Sequence, residues 1–170
     1  MSARPSTTVD VIINAKAWKT AAPGIEKIVE RSVAAALTAE RIKKPVELSV
    51  VLATDAAVRK LNKAYRGKDK PTNVLSFPAG DPSLLGDVVL AYGTVAREAK
   101  AENKPFQNHV SHLVVHGVLH LLGYDHEKAS EAEIMEARET KILAGLGIPD
   151  PYAALAPPVK KSRKKARKKT

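Results

Sequence analysis

The eleven residues His116–His126, HGVLHLLGYDH, end one helical run and begin a turn. Upstream of them, Lys104 to Leu122 reads as a long, mostly apolar helix of the core. His109, His112, His116 and His120 follow one another on it at intervals of three, four and four, so all four share one stripe. Packing alone gives a core helix no reason to carry four imidazoles on one side. Residues at i and i+4 can aim two ring nitrogens at one point, which makes His116 and His120 a bidentate platform of the kind zinc uses on helices. Gly123 can take positive φ and end the helix in a sharp reversal that swings His126 back over the pair.

The spacing HxxxHxxGxxH is the three-histidine arrangement of metzincin proteases. Those enzymes place a glutamate after the first histidine as general base, and here Gly117 stands in its place. Glycine accepts no proton, so the metal cage is kept and the peptidase base is missing. Three neutral imidazoles leave a tetrahedral zinc with one open position, where the metal lowers the pKa of water from ~15.7 to about 7. The reading is an open hydrolytic site with one Zn2+ per chain on His116, His120 and His126. A purely structural site, closed by Asp125 as fourth ligand, is the alternative. His112 reads either as a hydrogen-bonding neighbour of the metal site or as an ordinary core or surface residue. His109 reads as exposed and without a role.

Outward from this stretch, strand and helix signals alternate with no internal repeat. Thr8–Asn14 and Val46–Ala53 read as strands, the second a central one. Val74–Phe77, stopped by Pro78, and Leu84–Tyr92 read as two more. Helices are expected over Pro23–Glu40, from a Thr54 or Asp55 cap to about Tyr65, over Gly93–Asn103 and over Lys128–Leu146. The last of these carries glutamates on or beside its wet side. Arg66–Thr72, RGKDKPT, is a polar loop. The fold expected is α/β (α+β): a single domain with a small mixed sheet of about four strands and about five helices. Strand order is not legible at this level.

Composition bounds the function classes. The 170 residues suit one domain with a real core, and 44% hydrophobic with 27% charged residues is a globular profile. The absence of cysteine excludes disulfides, thiolate zinc sites, iron–sulfur clusters and cysteine nucleophiles. No apolar run approaches the ~18–20 residues of a membrane span, and Met1–Asp10 carries no signal-peptide core, so a cytoplasmic protein without membrane contact is expected. The formal charge of +10 is mostly a tail: Lys160–Thr170 holds eight cations and no acid, and without them the body carries +2. Residues 1–156 are expected to form the domain and 157–170 a disordered basic tail, either a solubilising extension or a contact for RNA.

HGVLHLLGYDH also resembles HGxLHLxGYDH, the signature of the YbeY family of bacterial rRNA maturation endoribonucleases. Leu61–Pro78, LNKAYRGKDKPTNVLSFP, is similar to that family's central loop and strand, and Leu85–Leu90, LGDVVL, to a further strand. The resemblance runs from about residue 9 to Tyr152 and omits the tail. It implies a metal-dependent, single-strand-specific endoribonuclease of small-subunit rRNA 3′ end maturation and ribosome quality control, its small mixed sheet lying beside the helices that carry the metal. It also implies His116, His120 and His126 as zinc ligands and Arg66 as the essential arginine.

Arg66 has an independent rationale, because phosphodiester cleavage concentrates charge on non-bridging oxygens that a guanidinium matches bidentately. Lys68 and Lys70 add positive charge for tracking a backbone. Asn73 and Ser76 either bond substrate or stabilise the loop, and Asp87 is left unassigned. One Trp, two Phe and four Tyr argue against a stacking platform for many bases, so single-stranded RNA would be held by phosphate charge and by the ribosomal small subunit. No nucleotide cofactor is expected. Two other readings stay open: a zinc hydrolase of a non-nucleic-acid substrate, and a metal-stabilised ribosome-assembly factor that binds rRNA without cutting it.

Overall fold

The computed structural model describes residues 7–153, so the basic tail expected at 157–170 lies outside the described residues. The run ELSVVLA forms β2 (Glu47–Ala53), an interior strand with Leu48, Val50 and Leu52 buried. On one side it pairs in parallel with β1 (Thr8–Ile13), on the other in parallel with β4 (Leu84–Ala91). In this register Val50 stands between Val11 and Val88. β3 (Val74–Pro78) closes the far edge antiparallel to β4, giving the order β1-β2-β4-β3. Parallel neighbours need crossover connections, here α1 (Ala17–Ala21) with α2 (Ile25–Ala39), and α3 (Asp55–Arg66) with β3.

Side-chain alternation divides the core. Leu48, Val50, Leu52, Val88 and Leu90 join the larger apolar cluster, which includes buried residues of α2, α5 (Phe106–Leu121) and α6 (Ala129–Gly145). Ala53, Leu75, Val89 and Ala91 face the other way onto Val58 of α3. α4 (Tyr92–Ala101) links β4 to α5. Among the described residues no helix is long and apolar enough to cross a membrane.

Among the described residues six helices form where five were expected, and the extra one is α1. Five residues are too short to show a helical period, and α1 is fixed instead by Trp18. That side chain is fully buried, donates its indole N–H to the Ala53 carbonyl at 3.0 Å and meets Tyr92 edge-on. Thr54 caps α3 as expected, its hydroxyl accepting from the Ala57 N–H at 3.1 Å. Arg66 proves to be the last residue of α3 rather than the first of the loop.

α5 lies against β3, β4, α2 and α6. At Gly117 it approaches the sheet so closely that a Cβ would sit 2.5 Å from Cγ1 of Val88. The Ser76 hydroxyl of β3 donates to the Gly117 carbonyl at 3.3 Å across the same contact. The position that holds a glutamate in metzincins therefore has no room here for any side chain.

Candidate metal centre

His116 and His120 occupy the last turns of α5, and the helix ends at Leu121. Gly123 follows with φ +108°, a region open mainly to glycine, and the chain reverses as the sequence predicts. His126 returns so that one nitrogen from each of His116, His120 and His126 lies within 4.8 Å of the others. His116 and His120 are half-buried and His126 is exposed, which leaves the group open on one side.

The outer hydrogen bonds decide which ring nitrogens are free. His120 Nδ1 lies 2.9 Å from the Tyr124 carbonyl, which can only accept, so that nitrogen carries the proton. His116 Nδ1 lies 2.7 Å from Oε2 of Glu139 and donates likewise to the carboxylate. Both rings are left with an Nε2 lone pair free to bind a metal. Burial, followed by repulsion from His116 and His126, pushes His120 down to about 4, so its ring is neutral at physiological pH. Two imidazoles whose second nitrogens are tied to oxygen acceptors, with a third converging on them, form a donor set that suits zinc, and the residues fit that ion.

Glu139 is the functional side chain that the sequence reading misplaced. Its helix was read as carrying glutamates on or beside the wet side, but Glu139 is 0% exposed. It stands four residues after Met135 and three before Ile142, both buried, so it belongs to the inner stripe of α6. That spacing was the available signal. Its Oε1 accepts from His112 Nε2 at 2.7 Å and from the Tyr152 hydroxyl, while Oε2 serves His116. Burial alone would raise its pKa, but the bonds from His112 and His116 outweigh burial and hold it at about 2. Burial, and then the bond to Glu139, raise the pKa of Tyr152 and keep its phenol protonated.

His112 is thus a partner of the carboxylate that orients a ligand. His109, expected to be exposed, is 4% exposed and bonds Oε1 of Glu98 at 2.8 Å. The difference arises because α4 packs against α5 and brings Glu98 to His109. Asn73 joins the same oxygen of Glu98 at 3.0 Å, Ser76 bonds α5, and Asp87 stands exposed on β4 opposite Phe77. Asp125 accepts from the His126 backbone N–H at 2.7 Å, and the convergent set among the described residues is the three histidines without it.

The loop between the ligands is anchored at Tyr124. Its hydroxyl donates to Glu40 at 2.7 Å, and Arg138 of α6 donates to the same carboxylate at 2.9 Å. One residue thus ties its loop to α2 and α6 and offers His120 a carbonyl. A cleft of about 570 Å³ opens over the histidines, lined by His120, His126, Tyr124 and Ser76 together with Arg66 and Lys68. Arg66, fifty residues before His116 in the chain, is exposed and shares this space with two of the three histidines.

A small α/β domain with an open three-histidine group able to hold a metal ion, beside a cleft lined by Arg66 and Lys68 and by Asp125 and Glu127, is the class that this architecture defines. The family model described as Endoribonuclease YbeY matches residues 11–147, and the chain belongs to that family. A protein of Bradyrhizobium sp. strain BTAi1 named Endoribonuclease YbeY is 52% identical over 166 residues, covering 90% of this chain and 96% of its own length. One from Bradyrhizobium diazoefficiens with the same name is 53% identical over 157 residues, covering 85% and 84%. A solution structure from Thermotoga maritima shares the fold with a TM-score of 0.52 at 23% identity, covering 86% of this chain and 99% of that one.

Proposed function

We propose that the chain is a zinc-dependent, single-strand-specific endoribonuclease. The observation that carries this reading is the cleft in which His120 and His126 stand together with Arg66 and Lys68. When bound, zinc supplies Lewis acidity and a nucleophile at neutral pH without a side-chain base, which suits a site where Gly117 excludes one.

The protein's own residues do the remainder. His116, His120 and His126 hold the ion, and Glu139 and the Tyr124 carbonyl fix the rings of the first two. Lys68 attracts the strand, and the Arg66 guanidinium meets a non-bridging phosphate oxygen as negative charge develops there. Ser76, spent on the Gly117 carbonyl, keeps α5 at its distance from β3. Membership of the family supports a role on RNA. In the cytoplasm, the natural substrate is the 3′ end of small-subunit rRNA, reached on the ribosomal small subunit during maturation and quality control.

Purified protein should cut a single-stranded RNA oligonucleotide, lose that activity to a chelator and recover it with zinc. His120→Ala should abolish cleavage with the fold preserved by circular dichroism. RNA binding without metal-dependent cleavage would refute the enzymatic reading and favour an assembly factor.

A further inference from the structure

A second cavity, of about 460 Å³, shares His116 with the metal centre and opens beside His109 and His112 of α5. Its polar wall is built from Asn73, Glu98 and Glu102, and Val74, Leu113 and Pro151 add apolar surface. Several of the donors around it are engaged. Lys104 Nζ bonds the Pro151 carbonyl at 2.8 Å and pairs with Oε1 of Glu102 at 2.8 Å. His109 and Asn73 both serve Oε1 of Glu98, and Tyr152 serves Glu139. Among the described residues, Glu98 and Glu102 each keep a second carboxylate oxygen without a donor, and so does the side-chain amide oxygen of Asn73.

A cavity lined by two carboxylates against one lysine carries more negative than positive charge, so it disfavours a phosphate, and its free carboxylate oxygens favour a neutral group rich in N–H. Apolar surface beside an acceptor edge suits a planar ring. Among the RNA bases, guanine alone presents a ring N–H beside an exocyclic amino group. Adenine and cytosine set an acceptor nitrogen next to their amino group, and uracil brackets its one N–H with two carbonyls. Glu98, immobilised through one oxygen by His109 and Asn73, offers the other in a fixed direction. From His116 to His109 is seven residues of helix, roughly 10 Å at 1.5 Å per residue, within reach of a neighbouring nucleotide.

We propose that this cavity seats a guanine base of the RNA strand, one or two nucleotides from the bond cut at the metal centre. The inference rests on the endoribonuclease reading and gives it a sequence preference that phosphate contacts cannot supply. The cavity can be tested apart from cleavage by titrating the zinc-loaded protein with guanosine and with inosine, which lacks the amino group, while following imidazole resonances by NMR. Guanosine should shift His109 and His112 and bind about tenfold more tightly than inosine. In cleavage assays on oligonucleotides that differ at one position, guanine at a fixed offset from the cut should lower KM by about tenfold relative to inosine. Glu98→Gln, which replaces the open acceptor by an amide, should bring that ratio towards one. Equal binding of guanosine and inosine, or cleavage indifferent to guanine at every offset, would overturn the proposal and leave the nuclease reading intact. Tighter binding there of N-acetyl-arginine amide than of guanosine would overturn it in favour of a protein partner's arginine.

Discussion

Replacing Glu139 by glutamine leaves two imidazole donors, one from His112 and one from His116, to share a single amide carbonyl. The His116 ring then loses its fixed orientation. Metal affinity should fall by about 10–100-fold in a chelator-competition titration of Glu139→Gln, with the fold retained by circular dichroism. The carboxylate also makes stability depend on pH. Its pKa is about 2 in the folded chain against an ordinary 4.5, so its contribution is complete above about 4.5 and disappears as pH falls towards 2. The stability gap between wild type and Glu139→Gln should therefore narrow in that window when unfolding is followed by denaturant titration. Arg66 differs because it is exposed and, in the proposed mechanism, meets the reacting phosphate. Arg66→Ala should lower turnover by about 10²-fold with a much smaller change in affinity, measured as kcat and KM on one oligonucleotide.

At the scale of elements, the centre is a junction between α5, the Gly123 turn and α6. α5 delivers two of the candidate ligands, the turn returns the third, and α6 brings Glu139 to His116 and Arg138 to the anchor of the turn. The closeness of α5 to β4 sets the height of the ligands above the sheet. Gly117→Ala would place a methyl 2.5 Å from Val88, so α5 or β4 must move. A loss of about 1–3 kcal/mol is expected in chemical denaturation, together with weaker zinc binding. Wild-type stability with unaltered affinity would show that the contact does not position the centre.

For the whole molecule, the ion and the tail contribute in different ways. The larger apolar cluster includes buried residues of α2, α5 and α6, and an ion held at the end of α5 would bind the folded state only. At about a thousandfold excess over its Kd it should add about 4 kcal/mol. Stripping zinc with a chelator should then lower Tm by roughly 10 °C, read by calorimetry. The eight cations of Lys160–Thr170 stand beyond the family match, which ends at 147. Deleting them should weaken RNA association and flatten its salt dependence, because fewer counterions are released. Cleavage at saturating RNA should stay near the wild-type rate. Loss of turnover on that deletion would place part of the chemistry in the tail.

Periodicity and spacing determined the local features of this protein. The i, i+4 histidine pair, the turn at Gly123, the Thr54 cap and the four strands each depend on residues within a few positions of one another, where helix and strand geometry make placement predictable. The motif that resembles the YbeY signature is local in the same sense, which is why the family was legible before the fold. Tertiary structure decided what depends on distant partners. It set β4 between β2 and β3, held the five-residue α1 through Trp18, and brought Arg66 into the cleft of His120 and His126. It also buried His109 and Glu139, whose polarity favours water in isolation. A buried carboxylate is stable only where donors from other elements converge on it, and His112, His116 and Tyr152 do so only once α5, α6 and the segment after α6 have packed.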